Sequence, residues 1–293
     1  MEQSIENVCS NTPEVDLTEV IANGNETMEV RVPYLENGYY PGLKDISKRK
    51  GRRLIKTHLP QNLLPESVKQ NKSKIIYIYR NPKDVIVSYY YFVRMMKYSN
   101  YKGTLDKFAR SFMSDSVPYS PYFQHISGYH KLKQETPENV LIVAYEDLKV
   151  NTYFLIKSKL RKYFDTTLYQ IDSDKIFSFN IFLQIAPQDV IRKIASFLIS
   201  NEQYNLDNEE IEAITKLTSF ETMKNDPRTN YEHWDTFGLR NKNETKFMRK
   251  GEVGNFKTHM NDSIQQEIET WISQQQKINN LQISFMFDTS EAF

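Results

Sequence analysis

The clearest pattern in the chain is Lys74-Ile75-Ile76-Tyr77-Ile78-Tyr79, an almost continuous apolar run. Such a run predicts a strand buried on both faces of a parallel sheet. It stops at Arg80-Asn81-Pro82. There Asn81 suits a helix N-cap, Pro82 the first helical position and Asp84 the first turn. Val85, Tyr89, Phe92 and Met96 then recur at helical spacing, which predicts a helix to about Lys97. Asn139-Val140-Leu141-Ile142-Val143-Ala144 reads as another strand, ending in Tyr145-Glu146-Asp147. Arg53-Leu54-Ile55-Lys56 reads as a shorter, earlier strand closed by Thr57-His58-Leu59-Pro60. Helical patterns cover 105–114, 123–133, 188–198, 208–217 (with Asp207 or Asn208 as cap) and 261–275. Strands alternating with helices predict an α/β fold, a central parallel β-sheet flanked by helices.

Two stretches resist this reading. Residues 1–50 are weakly patterned, with turn chemistry at Asn23-Gly24-Asn25 and Asn37-Gly38. Residues 152–185 are crowded with Phe, Tyr, Ile and Lys but sustain neither period 2 nor period 3.6. A structureless loop of that length is unusual inside a compact domain. It reads as an insertion in a single domain spanning 1–293, either retained non-coding sequence or a loop covering the site.

Composition narrows the chemistry. Of 293 residues, 38 are Lys or Arg and 37 are Asp or Glu, a net charge of +1. That balance argues against nucleic-acid binding by bulk charge but leaves room for a local basic pocket. A single cysteine, Cys9, excludes an internal disulfide framework and a multi-cysteine metal site. The first twenty residues are acidic and polar, unlike a signal peptide. No run of about 18 apolar residues predicts a membrane span. A cytoplasmic protein is the resulting expectation. The nine glycines form neither a dinucleotide-binding fingerprint nor a Walker loop.

Ligands of open parallel sheets bind beyond the carboxyl ends of the strands. Those ends carry Lys56, Thr57 and His58, then Arg80, then Tyr145. Arg80 at a helix start would offer an anion both a guanidinium and backbone N–H groups, with Ser88 two turns on. Equally, Arg80 could serve as a structural partner of Asp84 or Glu146. His58 has the chemistry of a general base, or of a loop-end histidine that only hydrogen-bonds. His125, His130, His233 and His259 lack metal-ligand spacing, so no metal is expected. Phe247-Met248-Arg249-Lys250-Gly251-Glu252-Val253-Gly254 joins two cations to a glycine pair, a loop able to hold phosphate or simply an exposed basic turn.

Taken together these segments resemble the cytosolic sulfotransferase family. Lys56-Thr57-His58-Leu59-Pro60 resembles its catalytic-histidine motif. Arg80-Asn81-Pro82-Lys83-Asp84-Val85 with Ser88-Tyr89-Tyr90 resembles its 3′-phosphate-binding segment. Tyr145-Glu146-Asp147, Thr218-Ser219-Phe220 with Met223, Asn225-Asp226-Pro227 with Thr229-Asn230-Tyr231, and Arg249-Lys250-Gly251 follow in the family's order. The resemblance covers about 30–151 and 186–260. It implies a P-loop-NTPase-like fold and transfer of a sulfuryl group from 3′-phosphoadenosine 5′-phosphosulfate (PAPS), without metal, to a hydroxyl or amine of a small, mostly apolar acceptor such as a phenol or alcohol. It assigns proton abstraction to His58 and charge stabilisation to Lys56. It gives the 3′-phosphate to Arg80, Ser88, Arg249, Lys250 and Gly251. Tyr145, Thr218, Ser219, Phe220 and Met223 would line the adenine and ribose side, and Phe92 and Tyr119 the acceptor pocket.

Three features depart from the family pattern. The lysine-bearing loop that wraps the donor's 5′-phosphosulfate has no counterpart in 1–50, and the first strand of the sheet would be absent with it. That departure keeps open an alternative, a nucleotide-binding pseudoenzyme of the same fold. Gly254-Asn255-Phe256-Lys257 stands where an aspartate and a tryptophan are usual, and Asn261, Asp262 and Gln266 occupy the positions of the short dimer motif. A homodimer remains an expectation of the family, with its usual motif altered here.

Overall fold

The computed structural model describes residues 26–36, 43–48, 53–68, 70, 73–149, 187–199 and 206–285. The suspected insertion at 152–185 lies outside the described residues, as does most of 1–50. Short helices α1 (Met28–Arg31) and α2 (Leu43–Lys48) fall within that N-terminal stretch. Strand β1 (Ile75–Tyr79) leads into α3 (Pro82–Met95), α4 (Leu105–Met113) and α5 (Tyr122–Glu135), and the chain returns as β2 (Val140–Ala144). Helices α6 (Pro187–Leu198), α7 (Asn208–Leu217), α8 (Phe220–Asn225), α9 (His233–Thr236) and α10 (Asp262–Ile278) complete it.

The two strands pair in parallel, with Ile75 opposite Val140 and Tyr79 opposite Ala144. The ladder continues at both ends, through Ile75 N–H to Asn139 O and Tyr145 N–H to Tyr79 O, each at 2.7 Å. The second of these bonds sets Arg80 and Tyr145 side by side at the carboxyl end of the sheet. Caps follow the sequence closely. The Asn81 side chain accepts from Lys83 N–H at the head of α3, and Asp207 closes a capping box with Glu210 at the head of α7.

The core forms where α3, α4, α5 and α10 meet. Ile86, Tyr90 and Val93 of α3 pack with Phe108 and Phe112 of α4, Phe123 and Ile126 of α5, and Ile264, Ile268 and Ile272 of α10. Lys83 is fully buried among them. Its ammonium sits 3.0 Å from Glu269 Oε1 and 4.7 Å above the Phe256 ring, which compensates the cost of burying it.

Two expectations need correction. Arg53–Lys56 is not a strand but contributes one isolated parallel bridge, Lys56 to Tyr34. Among the described residues its backbone bonds to that neighbour are Lys56 N–H to Pro33 O at 2.9 Å and Leu35 N–H to Lys56 O at 2.8 Å. Nor is β1 buried on both faces, since Ile78 is 50% exposed. One face carries Tyr77 and Tyr79 onto the core, while Ile78 on the other opens into a cavity. The helix expected from Val85, Tyr89, Phe92 and Met96 forms as α3 with Met96 as its C-cap; Met96 is buried and the other three are partly buried, because α3 turns Ile86, Tyr90 and Val93 into the core. Among the described residues no helix is long and apolar enough to cross a membrane.

Candidate functional site

Two cavities adjoin at the carboxyl end of the sheet. The first, about 680 Å³, is lined by nine of the ten residues assigned to the nucleotide: Arg80, Ser88, Tyr145, Thr218, Phe220, Met223, Arg249, Lys250 and Gly251. Ser219 is not in its wall. Its hydroxyl caps α8 by accepting from Thr222 N–H, which places Phe220 on the first turn of that helix.

Arg80 lies 4.4 Å from the centre of the Tyr145 ring and donates to Glu252 O at 2.8 Å. It also pairs with Asp84 at 3.5 Å, so the structural partnership open on sequence is made with Asp84. Glu146 instead accepts the Asn81 backbone N–H at 2.8 Å, and burial pushes its carboxyl up. The pair with Asp84 leaves Arg80 with donor capacity: its Nε is buried and unpartnered among the described residues. Asp84, itself 1% exposed, accepts from Gly254 N–H at 2.7 Å and Phe256 N–H at 3.1 Å. That clamp fixes the basic loop against the head of α3. Within the loop Arg249 donates to Asn255 Oδ1 at 2.8 Å and stacks 4.4 Å from Tyr91. Burial and the neighbouring Arg80 charge lower the Arg249 guanidinium's pKa.

Gly251 has φ +66°, and a Cβ there would stand 2.2 Å from the Phe220 ring. Only glycine suits both the left-handed backbone and that close approach. Lys149 stands 5.8 Å above the Tyr145 ring and 5.7 Å above Phe220, a cation the sequence reading missed. Cations on one wall, an aromatic ring on another and an unmet guanidinium N–H fit a phosphorylated nucleoside such as PAPS.

The second cavity, about 1280 Å³, holds Lys56, His58 and Tyr119. Arg80, Ser88, Phe92, Leu198 and Phe247 line both cavities, which makes the two one continuous site. His58 reaches solvent, yet its ring is flanked by Tyr34, edge-on at 4.9 Å, and Tyr119, tilted at 4.9 Å. The two tyrosine hydroxyls hydrogen-bond to each other. Desolvation by these neighbours, then the charges of Lys56 and His125, push the imidazole down to about 4. At neutral pH it is therefore an unprotonated base, and its ring nitrogens have no hydrogen-bond partner among the described residues. Lys56 sits 5.1 Å above Tyr34, and burial lowers its pKa too.

Sequence reasoning missed Glu36, Tyr34, Asp84 as a clamp, and His125. Glu36 falls in a weakly patterned stretch, and its partners lie 21 and 22 residues away. Asp84 reads as a first-turn acid, which it is, but its loop contacts lie about 170 residues on.

A sulfotransferase-domain family model matches residues 5–165 and 183–281. The chain is 32% identical over 263 residues to the amine sulfotransferase of Oryctolagus cuniculus, covering 89% of this chain and 72% of that relative. It is 35% identical over 237 residues to sulfotransferase 1A1 of Rattus norvegicus, covering 80% and 67%. Among solved structures, retinol dehydratase in complex with androsterone and the inactive cofactor PAP aligns with TM-score 0.65 at 20% identity, covering 97% of this chain and 79% of that one. Mouse sulfotransferase SULT7A1 complexed with PAP aligns with TM-score 0.59 at 21% identity, covering 95% and 91%. The structural likenesses establish the α/β sulfotransferase fold, and the sequence matches establish more: this chain belongs to the sulfotransferase family.

Proposed function

We propose that the chain moves a sulfuryl group from PAPS to a hydroxyl, or an amine, of a small and mostly apolar acceptor. The observation that carries this reading is the continuity of the two cavities, one cationic and one holding an unprotonated imidazole. In-line transfer needs such a division, with a base on the acceptor side and positive charge on the donor side.

His58 takes the acceptor's hydroxyl proton as the acceptor oxygen bonds to sulfur. The bond between sulfur and the 5′-phosphate oxygen breaks, and its electron pair leaves on that oxygen. The products are a sulfate ester, the desulfated nucleotide PAP and an imidazolium that returns its proton to water. Lys56, beside His58, stabilises charge on the transferring group. Arg80, Ser88, Arg249, Lys250 and Gly251 hold the 3′-phosphate, while Tyr145, Thr218, Phe220 and Met223 flank the adenine and ribose. Ser219 acts there by capping α8. Phe92 and Tyr119, with Tyr34, Tyr89 and Trp234, give the acceptor cavity an aromatic lining that favours a phenol or apolar alcohol.

The test is incubation with labelled PAPS and a panel of phenols, alcohols and amines, alongside PAP binding by calorimetry. Label in the acceptor is the expected result, with His58→Ala lowering transfer at least ~10²-fold, the usual scale for a general base. PAP binding without transfer would leave the chain a nucleotide-binding protein only. Near-normal turnover in His58→Ala would remove the base assigned here.

A further inference from the structure

The backbone of His58 is held on both sides. Glu36 Oε1 accepts the His58 N–H at 2.7 Å and the Thr57 hydroxyl at 2.9 Å, and Thr57 Oγ1 in turn accepts Leu59 N–H at 3.0 Å. On the other side His125 Nε2 lies 3.1 Å from the His58 carbonyl oxygen. A carbonyl can only accept, so Nε2 carries the proton and Nδ1 accepts from the Tyr77 hydroxyl, 3.0 Å away. Burial lowers the His125 pKa, which favours this neutral form. Tyr77 is itself fixed by stacking at 4.2 Å on Tyr129, whose hydroxyl donates to Leu59 O at 2.8 Å.

Glu36 has a second effect through its own chain. It follows Tyr34 by two residues, and the bonds between Pro33–Leu35 and Lys56 zip the same two segments together. The Glu36 carboxylate closes that zipper at the His58 end, holding the Tyr34 ring against the imidazole. Its other oxygen, Oε2, is buried with no partner among the described residues. An unmet buried carboxylate oxygen is costly, and a neutral acceptor could close a turn without it. What the carboxylate adds is a charge-assisted grip on two donors at once.

We infer that Glu36 is a positioning residue for the catalytic imidazole: it acts through the His58 backbone and the Tyr34 ring, with His125 holding the opposite side of the same peptide. This rests on the reading of His58 as the base. The test uses the whole chain and three readouts: the His58 imidazole titration by NMR, turnover, and PAP affinity. In Glu36→Ala the imidazole is expected to titrate at least one pH unit above its wild-type value near 4, toward 6.5. Turnover should fall ~10- to 10²-fold, the scale of a misplaced catalytic group. PAP affinity should hold, because Glu36 touches none of the nucleotide residues, and its retention also certifies the fold. Glu36→Gln, which keeps an oxygen acceptor without the charge, should recover part of the lost turnover. If Glu36→Ala does not fold, Glu36→Asp, which withdraws the carboxylate by one methylene, is read in the same way. An inactive His58→Ala beside a Glu36 variant with wild-type turnover and titration would overturn the inference alone. An active His58→Ala would overturn the base assignment on which it stands.

Discussion

At the scale of single residues, the site depends on a few positions with no tolerance for change. Gly251 combines φ +66° with a Phe220 ring that leaves no space for a Cβ. Gly251→Ala should therefore weaken PAP binding at least ~10-fold in calorimetry, an affinity change of about 1.4 kcal/mol. The mechanism is local: the loop must shift, and Lys250 and Arg249 move with it. His58 sets the response to acid. Its imidazole, held near 4 in the folded chain against 6.5 when free, should put the acid limb of kcat/KM near pH 4 instead of 6.5. Between those values the unfolded chain binds a proton that the folded chain does not. The stability linked to His58 is thus complete above pH 6.5 and is lost as pH falls toward 4. A pH–rate profile with its acid limb at 6.5 would mean the tyrosine rings do not crowd the imidazole in solution. Residues such as Arg80 and Asn81 were legible in the sequence because turn chemistry is local. Glu36 was not, because nothing near it in the chain announces a partner two dozen residues away.

At the scale of elements, α3 joins the core to the chemistry. Its head carries Arg80, Asn81 and Asp84, one side packs Ile86, Tyr90 and Val93 inward, and another presents Ser88 and Phe92 to the cavities. A helix apolar on two sides defeats a reading by periodicity alone. The stripe Val85, Tyr89 and Phe92 was visible in the sequence, but its destination was not, since core and cavity wall both select apolar side chains. The strand at Arg53–Lys56 failed for a related reason: four residues with strand-like composition need a neighbouring ladder, and propensity does not supply one. The Asp84 clamp binds this helix to the basic loop. Asp84→Ala should destabilise the chain by ~2–3 kcal/mol in urea unfolding, because two backbone amides lose a buried acceptor. PAP affinity should fall in the same variant as Arg249 and Lys250 lose their anchor. An unchanged midpoint and unchanged affinity would show that the loop holds itself.

At the scale of the whole molecule, the fold class, the β1–turn–α3 unit and the caps at Asn81 and Asp207 were all legible, since each follows from local composition. The cavities were not, for the wall of the first comes from five separate stretches of chain between Arg80 and Glu252, and that of the second reaches back to Met28. The family resemblance supplied what periodicity could not, namely that Thr218–Met223 and Arg249–Gly251 join the strand ends. The sheet itself has a further consequence. Among the described residues β1 has one hydrogen-bonded neighbour, β2, on one side only. The parallel register turns the amides of Ile76 and Ile78 away from β2, and among the described residues no strand pairs with them. An unpaired strand edge is a template for another strand, and natural proteins blunt such edges with charge. Concentrated solutions should accordingly scatter light with a lag that shortens as protein is added, and Ile78→Lys should lengthen that lag while β1 stays paired with β2. Among the described residues, the strand that orients Arg80 for an anion is thus also one along which a copy of this chain can pair with the next.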